Sequence, residues 1–131
     1  MGEFWDDIQY FSQSEFTCSH CGDEQMLEAF VRKLDSLRLD YGSPLTVTSG
    51  YRCPIHNDAV SSTGLTGPHT TGCAVDIHVV GFATHRLMKQ ASIAGFSGIG
   101  VAQKGEHNSR FLHLDVLDAG EGRPRPWVWS Y

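Results

Sequence analysis

The ten residues Gly67-Pro68-His69-Thr70-Thr71-Gly72-Cys73-Ala74-Val75-Asp76 constrain this chain more than any other stretch. A turn around Thr66-Gly67-Pro68 leads into an apolar run, Ala74 to Val80, that reads as a strand. A histidine leaves the turn, and an aspartate enters the strand seven residues later. Imidazole and carboxylate are both common zinc ligands, and a loop-to-strand transition can fold that separation into one coordination sphere. Strand alternation puts Ala74, Asp76 and His78 on one face and Val75, Ile77 and Val79 on the other. A sheet that buries the second set must present Asp76 on its opposite side.

Phe111-Leu112-His113-Leu114-Asp115 repeats the pattern inside a predicted strand, Arg110 to Leu117. Leu112, Leu114 and Val116 share one face; Phe111, His113 and Asp115 share the other. A strand that buries its leucines has no packing reason to present His and Asp together opposite them. His113 with His69 and Asp76 would form a three-ligand set. Such a set leaves one zinc position for water, as catalytic sites do. Zinc would lower the pKa of that water and polarise a carbonyl.

The rest of the chain supplies a frame. Residues 1–22 read as an N-terminal arm with aromatic anchors, ending in the knuckle Cys18-Ser19-His20-Cys21-Gly22. Apolar positions at three- and four-residue steps predict a helix from Asp23, its N-cap, to Leu39, with Tyr41-Gly42-Ser43-Pro44 ending it. Leu45 to Ser49 is a predicted strand, Ile55 to Val60 a short helix, and His85 to Ala94 a helix capped by Thr84. Ile99 to Ala102 is a further strand, and the tail carries tryptophans suited to covering a sheet edge or a groove. Helices and strands do not alternate regularly. The expected fold is therefore α+β, with a mainly antiparallel sheet and helices on one side.

The 131 residues suit a single domain spanning 1–131. A hydrophobic content of 40% allows a real core, and a net charge of −5 gives no electrostatic case for a nucleic-acid or anionic-membrane partner. The acidic Met1-Gly2-Glu3-Phe4-Trp5-Asp6-Asp7 does not read as a secretory signal, and no apolar run reaches bilayer length. The expectation is a protein made in the cytoplasm. The oligomeric state has no signature in the sequence.

Four cysteines, Cys18, Cys21, Cys53 and Cys73, permit two disulfides, but the absence of a signal favours thiols or metal ligands. Cys18-x-x-Cys21 with Cys53-x-x-His56 fits a closed Cys₃His structural zinc site. Buried thiols or a Cys18–Cys21 disulfide are the alternatives. Cys73 reads as a small apolar filler.

Ser49-Gly50-Tyr51-Arg52, His56-Asn57, His69-x-x-Gly72-x-Ala74-x-Asp76, Gly98-Ile99-Gly100 and Phe111-Leu112-His113-Leu114-Asp115 occur in that order. Together they resemble the zinc D-Ala-D-Ala carboxypeptidase family of metallopeptidases, in its branch of small single-domain bacterial and phage members. The resemblance runs from about residue 14 to the C-terminus. It implies a fold shared with hedgehog domains and zinc held by His69, Asp76 and His113. It implies that Arg52, flanked by Ser49 and Tyr51, binds the substrate carboxylate or an adjacent carbonyl, a task suited to a rigid guanidinium. The implied substrate is a peptidoglycan stem peptide, cleaved by a D,D-carboxypeptidase or an endopeptidase. The implied setting is the cell wall, reached after release or as a phage virion component. A non-catalytic zinc-binding module of the same fold, acting by binding or as a structural protein, is the alternative.

Two positions depart from the family pattern. Gly67 stands where a serine is usual, and Arg110 where many relatives carry an acid. Asp115 is the first candidate for the general base, or else a partner that orients a ligand histidine. Glu106 and His107 are the other candidates.

Overall fold

The strand that carries His113 lies at the centre of a five-stranded sheet. The computed structural model describes residues 4–131, so the first three residues of the predicted arm lie outside the described residues. The strands are β1 (Thr46–Ser49), β2 (Ala74–His78), β3 (Gly98–Ala102), β4 (Phe111–Asp115) and β5 (Trp127–Ser130), in the spatial order β1-β2-β4-β3-β5. Every neighbouring pair is antiparallel except β3 and β5, which run parallel. The fold is α+β, as expected.

Register turns the sequence alternation into rows. Val75 pairs with Leu114, which pairs with Ile99; Ile77 pairs with Leu112, which pairs with Val101. This face meets α1 (Glu28–Tyr41) and α3 (Phe82–Ile93), with the short α2 (Pro54–Val60) between them in the chain. Phe30, Val31, Leu34, Leu37, Leu87 and Ala91 join the sheet residues in one buried cluster. Each fully buried leucine or phenylalanine there contributes roughly 1.5–3 kcal/mol relative to exposure.

On the opposite face, Ser49 pairs with Asp76, Asp76 with His113, His113 with Gly100, and Gly100 with Trp129. One row across all five strands therefore holds two of the predicted ligands side by side. The neighbouring row holds Ala74, Asp115, Gly98 and Trp127. The glycines of β3 make space. A Cβ on Gly98 would collide with the Asp115 carboxylate, and one on Gly100 would lie 2.7 Å from the Trp129 indole.

Some boundaries differ from expectation. The first helix begins at Glu28, with Leu27 rather than Asp23 at its N-cap. The Asp23 carboxylate is used locally, accepting from Glu24 N–H and Gln25 Nε2, and Leu27 N–H bonds Gly72 O at 3.1 Å. Residues 23–27 thus form a strap against the His69–Asp76 connection. Gly42 ends α1 in the left-handed conformation, φ 80°. The third helix starts after Gly81, and Thr84 lies within its first turn with its hydroxyl buried and unpaired rather than capping. The tail closes the sheet as β5, and Trp129 reaches over the ligand row. No helix among the described residues is long and apolar enough to cross a membrane.

Candidate metal centre

His69 arrives from a different element. It lies in the single turn Pro68–Thr70, ahead of β2, and is anchored by its own backbone: its carbonyl accepts Arg52 N–H at 3.0 Å. Its ring Nδ1 lies 2.9 Å from Gly50 O. A carbonyl can only accept, so Nδ1 carries the proton and the lone pair of the neutral ring is at Nε2. Nε2 lies 3.2 Å from Asp76 Oδ1.

His113 is oriented in the opposite sense. Its Nε2 lies 2.8 Å from Asp115 Oδ2, and its Nδ1 lies 3.2 Å from Asp76 Oδ1. Burial opposes ionisation of Asp115, but His113 and Arg125 outweigh it and bring its pKa down to about 2. The ionised carboxylate can only accept, so Nε2 donates and Nδ1 of the neutral ring faces Asp76. Burial likewise opposes ionisation of Asp76, yet in the metal-free site a ring proton shared with His113 or His69 holds it well below the usual carboxylate range. Burial would lower the pKa of His113, and its bonds to Asp115 and Asp76 raise it instead.

With both rings neutral, His69 Nε2, His113 Nδ1 and Asp76 Oδ1 are three acceptors aimed at one another. Ligand atoms of the three residues all lie within 4.8 Å of one another, and all three residues are buried. Three convergent lone pairs are stable only with a proton or a metal cation between them. Two imidazoles and a carboxylate, each fixed by a further hydrogen bond or charge, suit zinc with one position open.

A cleft of about 950 Å³ opens over this triad, walled by Arg52, the 60–68 loop and the tail with Glu121, Trp129 and Tyr131. Arg52 reaches in with its side chain 14% exposed, and its Nη2 is 3.8 Å from Asp76 Oδ2. Ser49 Oγ and Asn57 Oδ1 each accept from the guanidinium at 2.9 Å. Asn57 is itself fully buried and donates to Thr63 Oγ1 at 2.9 Å and to the Gly64 carbonyl. One amide therefore ties the arginine to the loop. That loop also accounts for Gly67: a Cβ there would collide with Thr63 and Asn57, so this packing has no space for serine.

The other sequence candidates fall elsewhere. Ser49 holds Arg52 rather than lining the cleft, and Tyr51 is buried in the core cluster. Asp115 has no exposed surface, and Arg125 grips both its oxygens, at 3.0 and 2.8 Å. Arg125 therefore covers it, and Asp115 does not line the cleft. Glu106 and His107 are exposed and stand off the cleft wall, with the His107 ring 5.6 Å from that of His78. Arg110 bonds Gly105 O and closes its own loop. Cys18, Cys21 and Cys53 come together in a second cluster; neither His56 nor His20 has a ring nitrogen within 4.8 Å of all three sulfurs.

Arg125 and Glu121 carry no signal in the sequence, whereas Asn57 belongs to the His56-Asn57 motif and Trp129 to the covering tail. The Trp129 ring packs 5.1 Å from His113, and Arg125 stacks 4.9 Å over Trp129. Arg125 neutralises Asp115 from ten residues away across an irregular turn, a pairing with no sequence period. A family model described as Peptidase M15 matches residues 9–115. No curated protein matches the chain. The matched span includes all three metal-binding candidates, Arg52 and the cysteine cluster, but stops short of the tail.

Proposed function

The chain belongs to the Peptidase M15 family of zinc-dependent peptidases, and from that premise we propose that it hydrolyses D-Ala-containing peptide bonds of peptidoglycan stem peptides. The activity is that of a D,D-carboxypeptidase or of an endopeptidase on cross-links. The observation that carries this reading is the convergence of His69 Nε2, Asp76 Oδ1 and His113 Nδ1 beside the Arg52 guanidinium, at the floor of an open cleft.

Zinc held by His69, Asp76 and His113 would supply a Lewis acid that activates water and polarises the scissile carbonyl. The chain's own residues do the rest. Arg52, held by Ser49 and Asn57, keeps further N–H donors for a substrate carboxylate or carbonyl. Asp115 fixes the tautomer of His113 and acts through it as a positioning residue, not as the base. Glu121 is the one carboxylate on the cleft wall, other than Asp76, and it has no bonded partner among the described residues. It is assigned the transfer of a proton from the attacking water to the leaving amine. Trp129 excludes water from one side of His113.

The proposed setting is the cell wall, reached after release or as part of a phage particle. The net charge of −5 supports a peptide rather than a nucleic-acid partner. Digestion of purified peptidoglycan tests the substrate and the bond. Free D-alanine identifies a carboxypeptidase, and loss of cross-linked dimers identifies an endopeptidase. Metal-replete protein that binds peptidoglycan and releases neither product would leave the non-catalytic zinc module in its place.

A further inference from the structure

The cysteine cluster adjoins the Arg52 segment without lining the cleft, and the peptidase reading makes no use of it. Cys18, Cys21 and Cys53 offer sulfurs within 4.8 Å of one another. The segment carrying the first two is a closed knuckle: Cys18 N–H bonds Asp23 O at 2.7 Å, and Gly22 N–H bonds Cys18 O at 2.8 Å. Gly22 has φ 76°, which a side chain would strain. Cys53 N–H donates to the Cys18 sulfur at 3.3 Å, and His56 N–H donates to the Cys53 sulfur at 3.4 Å. Amide donors aimed at sulfur stabilise thiolates, the form that binds metal.

The fourth position distinguishes two histidines. His20 Nδ1 lies 3.5 Å from Cys53 Sγ, about the spacing of neighbouring ligands around one tetrahedral ion. His56 stacks on His20, with centroids 5.4 Å apart and planes within 4°, and its Nε2 lies 3.5 Å from Ser19 Oγ. A Cys18–Cys21 disulfide would use two sulfurs and leave Cys53 with the His56 amide and the His20 ring beside it. Three thiolates and one imidazole use all four groups.

We propose that Cys18, Cys21, Cys53 and His20 form a closed structural zinc site, with His56 as the stacking partner of the histidine ligand. This replaces His56, the ligand expected from the CxxH spacing, because the ring at the sulfur belongs to His20. The site clamps the N-terminal arm to residues 50–53. Tyr51 N–H already bonds Phe16 O at 2.9 Å, and Gly50 packs so closely on Phe16 that a Cβ would lie 2.6 Å from its Cα. Gly50 O sets the tautomer of His69, and Arg52 immediately precedes Cys53. The clamp thus holds two elements of the cleft without touching it.

The site is independent of the peptidase reading, and so is its test. Zinc is counted per chain in the full-length protein and in His113→Ala, and both are then reloaded with cobalt. The expected result is two equivalents of zinc in the parent and one in His113→Ala, whose cobalt form retains thiolate-to-metal charge-transfer absorption. His20→Ala should change that absorption, and His56→Ala should leave its band positions in place. One equivalent in the parent with no thiolate band, or a Cys18–Cys21 disulfide found by mass spectrometry of the native protein, would overturn the site. A band altered by His56→Ala and not by His20→Ala would overturn the assignment of the fourth ligand.

Discussion

Asp115 grips His113 at the ring nitrogen that faces away from the cleft, with Nε2 and Oδ2 2.8 Å apart. This single bond leaves Nδ1 as the metal-facing atom. Asp115→Asn should therefore weaken zinc binding by about 10–100-fold, the usual cost of losing a carboxylate behind a ligand histidine. Competition with a chelator of known affinity measures it. Unchanged zinc affinity with lost turnover would instead make Asp115 the base.

The same carboxylate sets a pH dependence. Its pKa falls from the ordinary aspartate value near 4 to about 2 on folding. A carboxylate depressed in this way stabilises the fold fully above its unfolded pKa and loses that contribution as pH falls through the folded value. The stability gap between metal-free parent and Asp115→Asn, on the order of 2 kcal/mol at neutral pH, should close between about pH 4 and pH 2. Urea denaturation across that range checks it, and a constant gap would contradict it.

Arg52→Lys keeps the charge and loses the fork that reaches both Asn57 and Ser49. One charged hydrogen bond is worth about 1.5–3 kcal/mol, so KM should rise roughly 10–100-fold. Zinc content should stay at the parent level. Steady-state kinetics with metal analysis reads both; a lost metal would make Arg52 structural.

Gly100→Ala places a methyl against the Trp129 indole. The ring must shift off His113 or the strand must move, at a cost of about 1–3 kcal/mol. The expected signature is a change in tryptophan fluorescence together with a lower denaturation midpoint. An unchanged spectrum would mean that β5 does not lie over the ligand row.

Much of this arrangement can be read from alternation alone. The faces of β2 and β4 follow from Val75, Ile77, Leu112 and Leu114, which leaves Asp76, His113 and Asp115 on the other side. The opposition of Asp76 to His113 is a matter of strand register, and local sequence carries no register. The covering of Asp115 by Arg125 has no local signature, because the two are ten residues apart and aperiodic. The choice of His20 over His56 turns on which ring the knuckle delivers to the sulfur. Asp23 makes a good N-cap in isolation, but the strap to Gly72 uses that segment differently and the helix starts at Glu28.

The most direct measurement of the central claim is D-alanine or cross-link release from purified peptidoglycan by zinc-loaded protein, chelated protein and His113→Ala. The predicted result is release by the first, none by the other two, and recovery of the chelated protein alone when zinc is returned. Release undiminished by chelation or by His113→Ala would contradict a metal centre at His69, Asp76 and His113.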